Sequence, residues 1–187
     1  MNLRVITAPA EEPVSVETAK VFLRVDGTQD DALIAALLKT ARETGEGLAR
    51  RAFVTQTLEL ICDTWPVNAI LPLWRPPLQS VTSVKYLDRQ GLESTWTDYR
   101  VDTHSEPGKV LFNSLPSVSL QETGAITVRF VAGYGLAAAV PEQLKNGILL
   151  LVAHWFEHRE AINVGNIVSE VPMGSKQLFL AERVMWF

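Results

Sequence analysis

The sequence predicts an α+β fold, mainly α: a helical bundle formed by both ends of the chain, with a β-rich insertion between them. Three observations carry this reading. Apolar residues recur at helical spacing over 14–53 and again over 137–160. Between them, over 54–132, the pattern changes to the two-residue alternation of strands with frequent turn residues, as in a small antiparallel sheet or partly closed barrel. The chain has 187 residues, 47% hydrophobic and 20% charged, enough to enclose a core and too apolar for a disordered segment. It therefore reads as a single domain, 1–187, with 161–187 as a C-terminal arm and helix.

The first helix is expected over Val16–Val25, with Ser15 as N-cap, Glu17 in the first turn and Asp26-Gly27 as the break. Thr28 starts the second, with Asp31 three residues on in a capping-box-like arrangement. Leu33, Ile34, Leu37, Leu38, Ala41 and Leu48 repeat along one face, and Gly45 and Gly47 weaken the last turns or admit close packing. Strands are expected at Thr55–Cys62, Asn68–Leu73, Val81–Leu87, Thr95–Val101, Lys109–Phe112 and Ala125–Ala132. Pro72, Pro76 and Pro77 mark a bend, and Asp88-Arg89-Gln90-Gly91 a turn. Pro141-Glu142 opens a third helix with Leu144, Ile148, Leu151, Val152 and Trp155 on one face, ending near Arg159. A last helix is expected over Ser175–Phe187.

The formal net charge is −4 and the longest Lys/Arg run is the pair Arg50-Arg51, which argues against gripping nucleic acid through its phosphates. Such a surface still suits DNA that must slide past. Cys62, the one cysteine, lies in an apolar run and reads as a small buried residue. Neither a signal peptide nor a bilayer-spanning run is legible, so a soluble protein made in a cytoplasm is expected.

The sharpest catalytic motif is His154-Trp155-Phe156-Glu157-His158, an H-x-x-E-H match to inverted zinc metallopeptidases. On a helix the two histidines share a face, and Glu157 could activate a zinc-bound water. A third ligand is missing, since Glu160 falls on an awkward face. The competing reading is a core or interface His154 and a His158 that favours the helix C-terminus. His104 reads as an exposed loop residue, and Gly133-Tyr134-Gly135 is too short for a dinucleotide fingerprint. Glu11-Glu12 and Asp30-Asp31 read as structural acids at helix approaches. No catalytic residue, metal or cofactor is assigned. Met185-Trp186-Phe187 either pack on the chain's own helices or dock into a neighbour, and Trp74-Arg75 beside the prolines poses the same choice.

Three stretches together resemble one family. Glu12-Pro13-Val14-Ser15-Val16-Glu17-Thr18-Ala19-Lys20, followed by Leu23-Arg24-Val25 and Asp30-Asp31, is similar to the opening of the head–tail connector proteins of tailed phages, prophages and gene transfer agents. Trp96-Thr97-Asp98-Tyr99-Arg100-Val101-Asp102 resembles a strand of the same family. Val128 to Gly135, Val140 to Lys145 and Ala153 to Glu160 resemble its core, whose histidine-bearing helix makes the zinc-like motif a coincidence. Asn146-Gly147, where the family usually has a small residue, is a departure that leaves the resemblance intact.

The resemblance implies a structural virion protein and not an enzyme. It would be an adaptor, forming a homo-oligomeric ring, usually of twelve subunits, below the portal protein. The ring would extend the DNA channel without binding DNA specifically, and offer a docking surface to stopper or tail-completion proteins. The implied portal contact falls on the C-terminal segment, with Val171, Leu178, Phe179, Arg183, Met185, Trp186 and Phe187 as candidates. Trp74, Arg75 and Arg89 are candidates for a subunit or tail interface. The alternatives are a stopper or tail-completion protein of the same neck and, remotely, a zinc metallohydrolase using His154, Glu157 and His158.

Overall fold

A computed structural model describes residues 1–158 and 173–185. Its elements run β1 (Asn2–Thr7), α1 (Val16–Leu23), α2 (Asp31–Ala49), β2 (Gln56–Cys62), β3 (Ile70–Pro72), β4 (Leu78–Leu87), β5 (Glu93–Trp96), β6 (Tyr99–Asp102), β7 (Lys109–Phe112), β8 (Ile126–Ala132), α3 (Glu142–Glu157) and α4 (Met173–Ala181). The chain divides into two compact units: Met1–Ala10 with Thr55–Tyr134, and Glu11–Val54 with Gly135–Phe187.

The first unit carries all eight described strands, in two antiparallel sheets ordered β1-β2-β8-β4-β5 and β3-β7-β6. This overturns the expected mainly-α helical bundle: the described residues form a two-sheet fold with four α-helices. The physical reason lies in the strands themselves. On β2, Gln56, Leu58, Leu60 and Cys62 face inward, and the paired Ala132, Phe130, Val128 and Ile126 of β8 face the same way. Leu71, Val84, Val110 and Phe112 are also buried, so the sheets enclose a core of their own. Trp65 joins that core edge-on to Tyr86 of β4 and Phe112 of β7, with ring centroids 5.9 and 5.1 Å away. At 20–33 cal/mol per Å2 of apolar surface, each such fully buried Leu, Val or Phe contributes about 1.5–3 kcal/mol.

Local chemistry set most other boundaries. The Ser15 hydroxyl accepts from Thr18 N–H at 3.1 Å, capping α1 as expected. The helix ends earlier than Asp26-Gly27, because Arg24 turns left-handed (φ 56) and donates its N–H to the carbonyls of Lys20 and Val21. The expected capping box at Thr28 does not form; Asp30 precedes α2 without a side-chain cap. Thr95–Val101 is two strands, β5 and β6, which belong to different sheets. The last helix stops at Ala181.

In the second unit α2, α3 and α4 pack through Ile34, Leu38, Ala41, Leu144, Ile148, Leu151 and Phe179. Phe179 is fully buried against two glycines. A Cβ on Gly45 would lie 2.7 Å from its Cε1, and one on Gly147 2.8 Å from the same atom. Two neighbouring helices therefore approach α4 only because both lack a side chain there. Arg42 is buried in α2, with Nε 2.7 Å from Glu12 Oε2 and Nη1 3.1 Å from Glu46 Oε2. Burial pulls its pKa down, but the hydrogen bond it donates to Glu12 and the charge of Glu46 outweigh that and leave it raised.

Candidate partner-binding surfaces

The C-terminal candidates separate by environment. Phe179 serves the chain's own core, stacked on Phe53 at 6.2 Å between ring centroids. Leu178 and Arg183 are half-buried, and the Leu178 carbonyl accepts from Gln143 Nε2. Val184 is buried and donates its N–H to Ala49, while Arg51 Nε donates to the Glu182 carbonyl, fastening the chain beyond α4 to the C-terminus of α2. Met185 is 63% exposed. Val171, Trp186 and Phe187 lie outside the described residues.

Trp74 sits in the bend after β3, between buried Leu73 and Pro76, and is partly exposed. The Leu73 N–H is held by the Gly108 carbonyl at 2.8 Å. Arg75 takes φ 72, a conformation that costs a non-glycine residue about 1–3 kcal/mol and that the bend imposes. Arg89 is exposed at the β4–β5 turn. That turn is built by Asp88, whose Oδ1 accepts the N–H groups of Gln90 and Leu92 at 2.9 Å. Leu92 at its tip is 66% exposed, a large apolar group unused by the chain's own core. These three candidates thus lie on hydrogen-bonded loops.

His154 and His158 stack at 4.8 Å between ring centroids, and the ring Nδ1 of His158 lies 3.1 Å from the His154 carbonyl. Among the described residues no group of three His, Cys, Asp or Glu side chains could hold a metal ion. The zinc constellation thus gains no third ligand there.

Two features escaped the sequence reading. One is β1, an edge strand formed where no element was expected. The run Arg4-Val5-Ile6-Thr7 holds three β-branched residues, a signal available in the sequence. The other is a charged row across β1, β2 and β8. Register pairs Arg4 with Glu59 and Glu59 with Arg129. The buried Glu59 carboxylate accepts from Arg4 Nε at 2.8 Å and from Arg129 Nη2 at 2.8 Å. Burial would raise its pKa; the hydrogen bonds from Arg129 and Arg4 outweigh burial and hold it lowered. The signal for this row was Glu59 itself, a charge inside an apolar strand pattern that requires a partner.

A chain from the neck of an empty gene transfer agent (GTA) particle computed with C6 symmetry matches with a TM-score of 0.84. A chain from the virion of a native GTA particle gives 0.81, and one from the neck of a native GTA particle computed with C12 symmetry gives 0.75. Each is 22% identical, over 100% of this chain and 97% of the other, so the likeness establishes a shared fold. No curated protein matches. The family model for head completion proteins matches residues 12–166, which include α1, α2 and α3 and seven of the eight described strands. By that match over most of its length, the chain belongs to the head completion protein family.

Proposed function

We propose that this chain is a head–tail connector subunit, an adaptor in the neck of a phage-like particle. Copies form a ring, of twelve, below the portal protein. The ring extends the DNA channel and docks a stopper or tail-completion protein. It is a structural role without turnover. The observation that carries the reading is the likeness of fold along the whole chain to chains of GTA necks, one computed with C12 symmetry, together with membership of the head completion family. The net charge of −4 suits a channel that DNA must traverse without sticking.

The portal contact is assigned to the C-terminal tip, with Met185, Trp186 and Phe187 as anchors. Supporting this, Met185 is exposed while Phe179 and Val184 are spent on the chain's own core. The tail-side or neighbour contact is assigned to the bend at Trp74-Arg75 and the turn at Arg89, which present exposed side chains on fixed loops.

Cryo-electron microscopy of necks, with cross-linking of the chain to its neighbours, tests the reading. A ring in contact with the portal is expected, and truncation after Val184 should abolish attachment while sparing the core. Cross-links running to the tail tube and none to the portal would replace the adaptor with a stopper or tail-completion protein. Normal attachment of the truncated chain would refute the tip as anchor.

A further inference from the structure

Among the described residues the five-stranded sheet has β1 and β5 as its edges. All its pairings are antiparallel and its strand number is odd, so both edges run in the same direction. A cyclic rotation that carries one sheet sideways onto the next therefore sets β5 of one copy beside β1 of the following copy, in parallel. β1 is a poor edge to leave in water. Val5 is 57% and Ile6 39% exposed, and apart from a bulge between Val5 and Thr7 the strand has no proline or lysine to discourage pairing.

Both faces of the two edges match. On the outer face, register places Arg4, Glu59 and Arg129 together with Lys85 and, on β5, its cross-strand partner Thr95 and the diagonal Glu93. Lys85 Nζ holds Glu93 Oε1 at 2.7 Å. The charges across the sheet thus begin with a half-exposed arginine on β1 and end with a half-exposed glutamate on β5. On the inner face, Val5 pairs with buried Leu58 and continues the core beyond its cover. The inner-face residue at the far edge is Trp96, paired with buried Val84.

We infer that β1 of one copy adds in parallel to β5 of the next, so that the ring is sealed by a sheet continuous from copy to copy. Val5 then lies beside Trp96 of the next copy, and Arg4 lies beside Thr95 and diagonal to Glu93, within reach of a long side chain. This rests on the ring reading above and names the surface that closes it.

Paired cysteines test it in particles carrying the full chain. Arg4→Cys with Thr95→Cys, and Arg4→Cys with Glu93→Cys in case the register slides by two residues, are oxidised and resolved without reductant while the necks are imaged. A ladder of covalent multimers reaching the whole ring is expected from one pair, with none from either single substitution. Rings that form normally without cross-links from either pair would overturn the β1–β5 contact and leave the ring reading standing. Wild-type necks without a ring of this chain would overturn both.

Discussion

Gly45 and Gly47 lie two residues apart in α2, and replacing each with alanine should move stability in opposite directions. Alanine in place of glycine inside a helix is favourable by about 0.8–1 kcal/mol. A Cβ on Gly47 meets nothing within 4 Å, so Gly47→Ala should gain close to that amount. A Cβ on Gly45 would sit 2.7 Å from Phe179 Cε1 and 2.9 Å from Phe53 Cε2, both in rings held by the core. Overpacking of this kind costs about 1–3 kcal/mol, which exceeds the helix gain. The two variants should differ by about 2 kcal/mol, and for a chain of this length that separates their midpoints by roughly 4–8 °C. Thermal unfolding followed by far-ultraviolet circular dichroism reads the helices directly. A cycle with Phe179→Leu isolates the cause: at Gly147, whose added Cβ would have three Phe179 ring atoms as its nearest neighbours, the alanine penalty should fall by about 1 kcal/mol. Equal stabilisation by Gly45→Ala and Gly47→Ala would refute the glycine notch as what admits α4.

Three further outcomes follow from the charged groups. Arg42→Ala removes a buried cation from Glu12 and Glu46 and should cost about 3 kcal/mol in urea unfolding, whereas Lys39→Ala on the exposed face of the same helix should be nearly neutral. Glu59 has a lowered folded-state pKa, so its contribution is present above the ordinary carboxylate range and disappears as pH falls through the folded value. Glu59→Gln should therefore lower stability at neutral pH by about 1–2 kcal/mol, discounted for its half-exposed arginines, and flatten the loss of stability on acidification. Asp102 accepts from the Ser105 hydroxyl first and then from the N–H groups of His104 and Ser105, which hold its pKa at about 2. Carboxyl carbon chemical shifts titrated by NMR should show that midpoint, and Ser105→Ala should move it upward.

The sequence disclosed single elements better than their assembly. Where an element is fixed by neighbours in the chain, as with the Ser15 cap, the Pro141 entry to α3 or the Asp88 turn, residue types sufficed. The fold class failed because β1 pairs with β2 across residues distant in sequence, and because the alternating runs build a core comparable to that of the helices. Nothing local marks a strand as the rim of a large sheet. The aromatic residues near the C-terminus look alike in sequence, yet Phe179 faces two glycines whose positions, 45 and 147, become adjacent only on folding. Glycine spacing hinted that α2 admits a close neighbour without saying which side chain would enter. Val5 and Ile6 were invisible as exposed groups for the same reason: burial at an edge depends on the strands beyond it.

The division of the chain has a consequence for its synthesis. The peptide leaves the sheet unit after Ala10, returns at Thr55 and leaves again after Tyr134, so each unit is made in two instalments. β1 emerges first from the ribosome but finds its partner only once β2 has been translated, and the central strand β8 comes last of the five. The pairing of β1 with β2 spans the whole of α1 and α2, a long-range contact of the kind that slows folding. It also follows that Thr55–Tyr134 is not a transplantable module: excising it strands Asn2–Thr7 on the remainder, and grafting it elsewhere exposes the flank of β2 that β1 normally covers.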